Sequence, residues 1–388
     1  MATCLSGCPL GIDIPGFIRL LREGDIALSL ERIKKENPFP AICGRICPAP
    51  CETACVFEAD GNPISIRNLE RFAADFGAKA DKPIAAPKGK KVAIIGSGPA
   101  GMTAAYYLAK MNFSVTLFEA AHEPGGMLRY GVPEFRLPQK ILDEQFVQLK
   151  ALGIEIQTDA VFGRTLLIDE LLMRGFVGIL LATGASLPYF SELPGSSLTG
   201  VYYDTEFLNR VQALTKDDAL DAARQQMIAT PKTVVIGRGY AAFDAARLTL
   251  RLGSATQIVF DGFEEEAGVG EDILMEAKEE GLEVHSMKVQ EIIGDANGYV
   301  SGVRCQKLDI VEAKEGLTLE ASTEEPVILE AQTVIIANGH RSHEIFKQSS
   351  PPVFACGDMV TGAGSVVDAI ASGKNVAQKI IQYLGQTP

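Results

Sequence analysis

The chain has 388 residues, with 49 acidic against 36 basic side chains and a formal net charge of −13. At about 150 residues per domain this length predicts two or three domains, and 47% hydrophobic with 22% charged residues argues against long disordered tracts. The acidic balance speaks against a nucleic-acid partner, no apolar run reaches the roughly 18 residues of a membrane span, and the first residues lack the apolar core of a secretion signal, so the expected compartment is the cytoplasm.

Residues 1–78 carry six of the eight cysteines: Cys4, Cys8, Cys43, Cys47, Cys51 and Cys55. A chain this long builds a core without disulfide staples, so clustered thiols predict metal binding. Cys43, Cys47, Cys51 and Cys55 recur every fourth residue and would share one helix face, but Pro48 and Pro50 break that helix. The segment is therefore expected to wind, as a loop wrapping an iron–sulfur cluster does. Phe17, Ile18, Leu20, Leu21, Leu28, Leu30 and Ile33 recur at helical spacing, and 64–77 predicts a helix ending at Gly77. Ala78 to Lys90, rich in Ala, Lys and Pro, reads as a linker.

VAIIG at 92–96 predicts a strand, 97–112 a helix and SVTLFE a second strand. The same grammar returns at 233–261, so two βαβ units predict two nucleotide-binding folds. In the first, Gly96, Gly98 and Gly101 serve the tight turn, the approach to a pyrophosphate and helix–strand packing, with Pro99 and Ala100 opening the helix whose N-terminus faces phosphate. Glu119, followed by Ala120, ends the second strand, where a carboxylate accepts ribose hydroxyls. FAD is favoured here. The Gly125-Gly126-Met127-Leu128 turn can pass close to an isoalloxazine, Gly357-Asp358 offers a carboxylate to a ribityl hydroxyl, and Ser365-Val366-Val367 starts a helix aimed at the flavin pyrimidine.

In the second unit Gly237, Gly239, Tyr240, Ala241 and Ala242 repeat the loop, with Ala242 in the third glycine's place. Asp261 ends the next strand, where a carboxylate repels a 2′-phosphate and binds free ribose hydroxyls. The acidic stretch 265–280 is expected to be a solvated loop and helix face, and His340 and His343 to be ordinary loop residues. No C-x-x-C follows Gly125, which argues against a disulfide reductase. Cys305 and Cys356 stand alone.

GSGPAG, EPGGMLRYGVPEFRLP, LATG at 181–184, GRGYAAFDAAR and FACGD, with CGRICPAPCETAC upstream, together resemble the small (β) subunit of glutamate synthase and its relatives. Those relatives include the large subunit of NADH-dependent ferredoxin:NADP oxidoreductase and the N-terminal part of dihydropyrimidine dehydrogenase. The resemblance implies an α/β fold with two Rossmann-like domains, one inserted in the other, behind a small all-α iron–sulfur domain. The implied bounds are 1–78 for the iron–sulfur domain, 79–90 for the linker, 91–200 with 339–388 for the FAD domain and 201–338 for the NAD(P) domain. It adds Arg136, Val161, Thr183, Gly184 and Gly339 to the expected cofactor contacts. It implies one [4Fe–4S] cluster held by Cys8, Cys47, Cys51 and Glu70. Of a second cluster's ligands only Cys4 and Cys55 match, since the other two would lie upstream of Met1. Cys43 or a partner chain is the expected substitute.

Relatives that use NADPH carry paired arginines where this chain has Asp261-Gly262, so NAD(H) is favoured over NADP(H). The implied function is an electron-transfer flavoprotein subunit that exchanges hydride between a pyridine nucleotide and FAD. It would relay single electrons through the cluster to a partner redox subunit. The competing reading is a non-catalytic electron-transfer or scaffold subunit whose second site holds FAD or nothing. Hydride transfer requires no side-chain acid or base, so no catalytic residue is expected.

Overall fold

The computed structural model describes residues 3–77, 89–215, 230–313, 316–342 and 352–386, so most of the expected linker, and His343, lie outside the described residues. The chain forms two compact units. One comprises Met1–Arg129, Glu134–Leu187 and His340–Pro388, the other Tyr130–Pro133 and Pro188–Gly339.

In the first unit the Cys-rich region is a set of short helices. The apolar run from Phe17 to Ile33 divides into Ile14–Arg22 and Ile26–Lys34, because Gly24 takes a left-handed φ of 81° between them. Asp13 and Asp25 cap the two helices by accepting hydrogen bonds from the Gly16 and Leu28 N–H groups. Leu28 is 47% exposed, since the buried face of its helix runs through Ser29, Leu30 and Ile33. The helix expected over 64–77 spans Ile66–Phe76, and the Gly77 N–H reaches back to the Ala73 carbonyl.

Beside these helices lies an all-parallel sheet ordered Val353–Ala355, Phe176–Leu181, Lys91–Ile95, Ser114–Phe118, Glu155–Gln157. Its central strand reads as an unbroken apolar run because both faces are covered. Helix Pro99–Lys110 follows that strand, and the C-terminal helix Val366–Gln386 lies so close to it that a Cβ on Gly373 would stand 2.2 Å from the Ala100 carbonyl oxygen. The start of that C-terminal helix also enters the Cys-rich core, where Val367 and Ile370 are buried with Phe17, Ile33, Cys43 and Cys47. The Tyr107 hydroxyl donates to the Glu36 carbonyl at 3.1 Å, and Lys374 pairs with the Glu36 carboxylate. The cysteine helices and the first sheet thus share one packed body.

The second unit holds five parallel strands ordered Val201–Tyr203, Thr333–Ala337, Lys232–Gly237, Ala255–Phe260, Glu283–Gly294. Antiparallel strands Val300–Ala313 and Gly316–Ala321 extend this sheet, with Val327–Glu330 also paired to Val300–Ala313. The acidic stretch is only partly the solvated face expected of it. Glu264, Glu265 and Glu266 are exposed, but Glu276 and Glu280 grip the buried Arg247 of helix Tyr240–Arg251 at 3.0 and 2.6 Å. That guanidinium holds the Glu280 carboxyl below the usual carboxylate range. Among the described residues no helix is long and apolar enough to cross a membrane.

Candidate cluster and dinucleotide sites

The prolines of the cysteine segment act as expected. Helix Pro40–Ile46 ends where Cys47 turns extended, Ala49 takes a left-handed φ of 55°, and Pro50–Thr53 is helical again. This winding turns Cys43, Cys47 and Cys51 toward one small pocket whose lining includes Cys8, Asn37, Glu70 and Val367. Cys4 and Cys55 do not line it. Helix Thr3–Gly7 sits against Pro50–Thr53, where a Cβ on Gly7 would meet the Ala54 Cβ at 2.7 Å. The two outer thiols stand near enough for their charges to interact.

Burial dominates the electrostatics of the pocket. It pushes the Cys47 thiol up to about 12, and raises Cys51 and Cys43 well above the usual thiol range. It pushes Glu70 up to about 7, opposed by the Asn37 amide, which donates to Oε1 at 2.7 Å. Thiols in this condition ionise only beside a strong positive charge, which an iron core supplies. Among the described residues no three His, Cys, Asp or Glu side chains converge on a point that would hold a single ion. These donors surround a space instead, which suits a compact iron–sulfur body with thiolates at its corners. The donor set therefore fits a cluster. Asn37, which orients Glu70, carried no recognisable sequence signal.

At the first glycine loop each glycine has its own reason. Gly96 has φ 105° and a Cβ there would lie 2.3 Å from the Ala182 carbonyl oxygen; one on Gly101 would lie 2.0 Å from the Gly96 carbonyl oxygen. A Cβ on Gly98 would meet nothing within 4 Å, so that side of the loop is an open cradle for a phosphate, facing the first-turn N–H groups of helix Pro99–Lys110. Gly126, at φ 53°, closes over the loop: its Cβ would stand 3.0 Å from the Gly98 Cα. Met127 is exposed and Leu128 buried beyond that turn. Glu119 is buried, and its carboxylate accepts from the Ser97 N–H at 3.1 Å, the Ser97 hydroxyl and the Ala121 N–H at 2.9 Å. Ser97 was missed in the sequence because the glycines around it carry the motif.

Ala120 is exposed beside Glu119, and Ala160 donates to the Glu119 carbonyl, which places Val161 near that strand end. Thr183 donates to the Met359 sulfur at 3.3 Å, and Gly184 follows at φ 73°. Burial raises the Asp358 carboxyl above its ordinary range, and the Gly364 N–H draws it back. Ser365 precedes the C-terminal helix, which starts at Val366, and Arg136 is half-buried.

The second loop repeats this geometry. Gly237 has φ 137°, and a Cβ there would lie 2.3 Å from the Ala337 carbonyl oxygen. Gly239, at φ 84°, opens helix Tyr240–Arg251, in which Ala241 is half-buried and Ala242 fully buried. Gly268 plays the part of Gly126, its Cβ falling 3.2 Å from the Gly239 Cα. Asp261 is exposed at the end of strand Ala255–Phe260. Arg238 is exposed too, its Nη1 within 3.6 Å of a Cβ placed on Gly262. Gly339 accepts the Tyr189 N–H at 3.0 Å, and His340 lies in a two-residue strand.

Residues 1–82 match the family described as dihydropyrimidine dehydrogenase domain II, 4Fe-4S cluster. Residues 90–373 match the family described as pyridine nucleotide-disulphide oxidoreductase. The chain is 34% identical to the glutamate synthase [NADPH] small chain of Mycobacterium tuberculosis, over 98% of this chain and 85% of that one. It is 31% identical to the NAD-dependent dihydropyrimidine dehydrogenase subunit PreT of Salmonella typhimurium, over 99% of this chain and 91% of that one. The solved Mycobacterium tuberculosis FprA in complex with NADPH shares the fold, with a TM-score of 0.60 at 19% identity over 77% of this chain and 85% of that one. The Lactococcus lactis thioredoxin reductase does so at 0.54 and 20%, over 77% of this chain and all of that one. With two glycine loops of one design and a thiol-lined pocket built into the first unit, the chain belongs to the pyridine nucleotide-disulphide oxidoreductase family, in its glutamate synthase small-chain branch, and is an FAD- and iron–sulfur-dependent NAD(P)H oxidoreductase.

Proposed function

We propose that the chain exchanges hydride between FAD and NAD(H), in preference to NADP(H), and relays single electrons through one [4Fe–4S] cluster to a partner redox subunit. The observation that carries this reading is the C-terminal helix. Its Val367 lines the thiol pocket, while its Gly373 packs on Ala100 of the helix that opens at the first glycine loop. One rigid element thus touches both the cluster pocket and the dinucleotide fold.

In this reading Cys8, Cys47, Cys51 and Glu70 ligate the cluster, and Asn37 orients the carboxylate. Cys43 is the alternative fourth ligand. Gly96, Gly98, Gly101, Glu119, Gly126, Thr183, Gly184 and Asp358 hold FAD. When bound, the flavin supplies the exchange between two-electron and one-electron carriers, and the protein supplies position and electrostatics. Asp261 sets the nucleotide preference. Its exposed carboxylate, with Glu264, Glu265 and Glu266 on the following turn, makes the strand end unfavourable to a 2′-phosphate. A partner subunit is supported by the relatives, several of which are chains or subunits by description.

Anaerobic titration tests the proposal. NADH should bleach the flavin absorbance at lower concentration than NADPH, with iron and acid-labile sulfide near four per chain. Absence of bleaching by either nucleotide would favour the non-catalytic reading, and preferential bleaching by NADPH would overturn the role of Asp261.

A further inference from the structure

The two glycine loops have the same backbone plan, but the turns that close over them are secured differently. In the first, Ser97 is fully buried, and its hydroxyl donates to Glu119 while accepting the Gly125 N–H at 2.7 Å. The carboxylate and the closing turn are thus joined through one oxygen. On the far side of the turn Arg129, buried despite its charge, donates from Nε to the Pro124 carbonyl at 2.6 Å and from Nη1 to Gln139 at 2.9 Å. Asp143 accepts from Nη2 at 2.5 Å, which fixes the guanidinium plane. Gly125 has φ 140°, and a Cβ on it would stand 2.9 Å from both the Arg129 Cβ and a Leu142 methyl. The turn is therefore clamped between a buried hydroxyl and a buried guanidinium.

The second loop is secured by other contacts. The Gly239 N–H donates to the Ala267 carbonyl at 2.7 Å, and among the described residues no side-chain hydrogen bond joins 237–239 to 267–268. Arg238 stands where Ser97 stands, and a guanidinium cannot accept an N–H. The turn after Asp261 is tied by the Phe263 N–H donating to Glu266 at 3.0 Å, by the Ser286 hydroxyl donating to the Gly262 carbonyl, and to Lys278 through Glu264.

We propose that Ser97 and Arg129 are positioning residues that latch the Gly125–Gly126 turn over the first loop and so slow release of the dinucleotide held beneath it. This rests on the reading of the first loop as the FAD site. Release of a ligand from beneath Gly126 requires the turn to lift from Gly98, and each latch bond opposes that motion.

The test uses the full chain prepared anaerobically with FAD. After gel filtration the wild type should retain FAD. Flavin release is followed by recovery of free-flavin fluorescence after dilution. S97A should release FAD about tenfold faster, S97T, which keeps the hydroxyl, within about twofold of wild type, and D143N about threefold faster. The flavin-free protein should remain folded in all three, its melting temperature lowered in S97A and D143N by the loss of a buried hydrogen bond. Unchanged release in S97A and D143N overturns the latch, as does release from S97T as fast as from S97A. A wild type that takes up no FAD overturns the site reading itself, and the latch with it.

Discussion

The two units pose the same problem to a dinucleotide and frame it with different side chains. Both place a left-handed glycine 2.3 Å, by the Cβ it lacks, from a carbonyl oxygen of the neighbouring strand. Both bring a second glycine down on the loop at 3.0 and 3.2 Å. The first unit adds buried polar side chains, and its first-loop helix packs on a helix that lines the thiol pocket. The second adds exposed acids and an exposed arginine. Backbone geometry is thus common to the two loops, and the side chains around them are what differ.

The comparison can be broken or sharpened by substitution. The largest effect is expected at the thiol pocket: Cys47→Ser should remove iron and sulfide from the purified protein, read by metal analysis and electron paramagnetic resonance. Cys43→Ser should leave both in place. The reverse outcome would make Cys43 a ligand. Next comes Gly98→Val, whose side chain enters open space and should abolish FAD retention with little change in the melting temperature of flavin-free protein. Gly101→Ala, 2.0 Å from a carbonyl oxygen, should instead destabilise the fold itself by about 2 kcal/mol or more, read by denaturant unfolding.

In the second unit, Asp261→Arg should shift the NADH-to-NADPH preference toward NADPH by at least about tenfold, measured as the nucleotide concentration that half-bleaches the flavin. Unchanged preference would shift attention to Glu264–Glu266. The smallest effect is on acid stability. Arg247 holds the folded Glu280 carboxyl below its unfolded value of 4.5, so the pair's stabilisation is present above that pH and is lost as pH falls through the depressed value. Glu280→Gln should lower stability by about 1 kcal/mol at neutral pH and flatten the loss below pH 5, measured by urea unfolding across that range.

Much of this was legible in the chain. Short apolar strands, Gly-x-Gly turns and helix starts are local patterns, and both βαβ units were expected where they lie. Pro48 and Pro50 announced the break in the cysteine helix because proline's constraint is covalent. Leu28 keeps the helical spacing yet is exposed, because periodicity marks apolar spacing without saying which stretch of a helix meets a neighbour. Glu276 and Glu280 read as solvated because their partner, Arg247, lies 29 and 33 positions upstream. Ser97, Arg129 and Asn37 were invisible for a similar reason: a serine between glycines, an arginine after a turn and an asparagine in a loop each have many local explanations.

The amino-acid order alone determined that two phosphate-cradling turns exist and that thiols crowd one end, since glycine, proline and cysteine act through backbone freedom, ring closure and sulfur chemistry that need no distant partner. Which donors face a common cavity, which turn is bolted down, and which carboxylates are occupied were decided only when segments far apart in the chain were packed together. Burial and hydrogen-bond pairing are properties of that packing, and they distinguish two loops that the chain writes in nearly the same letters.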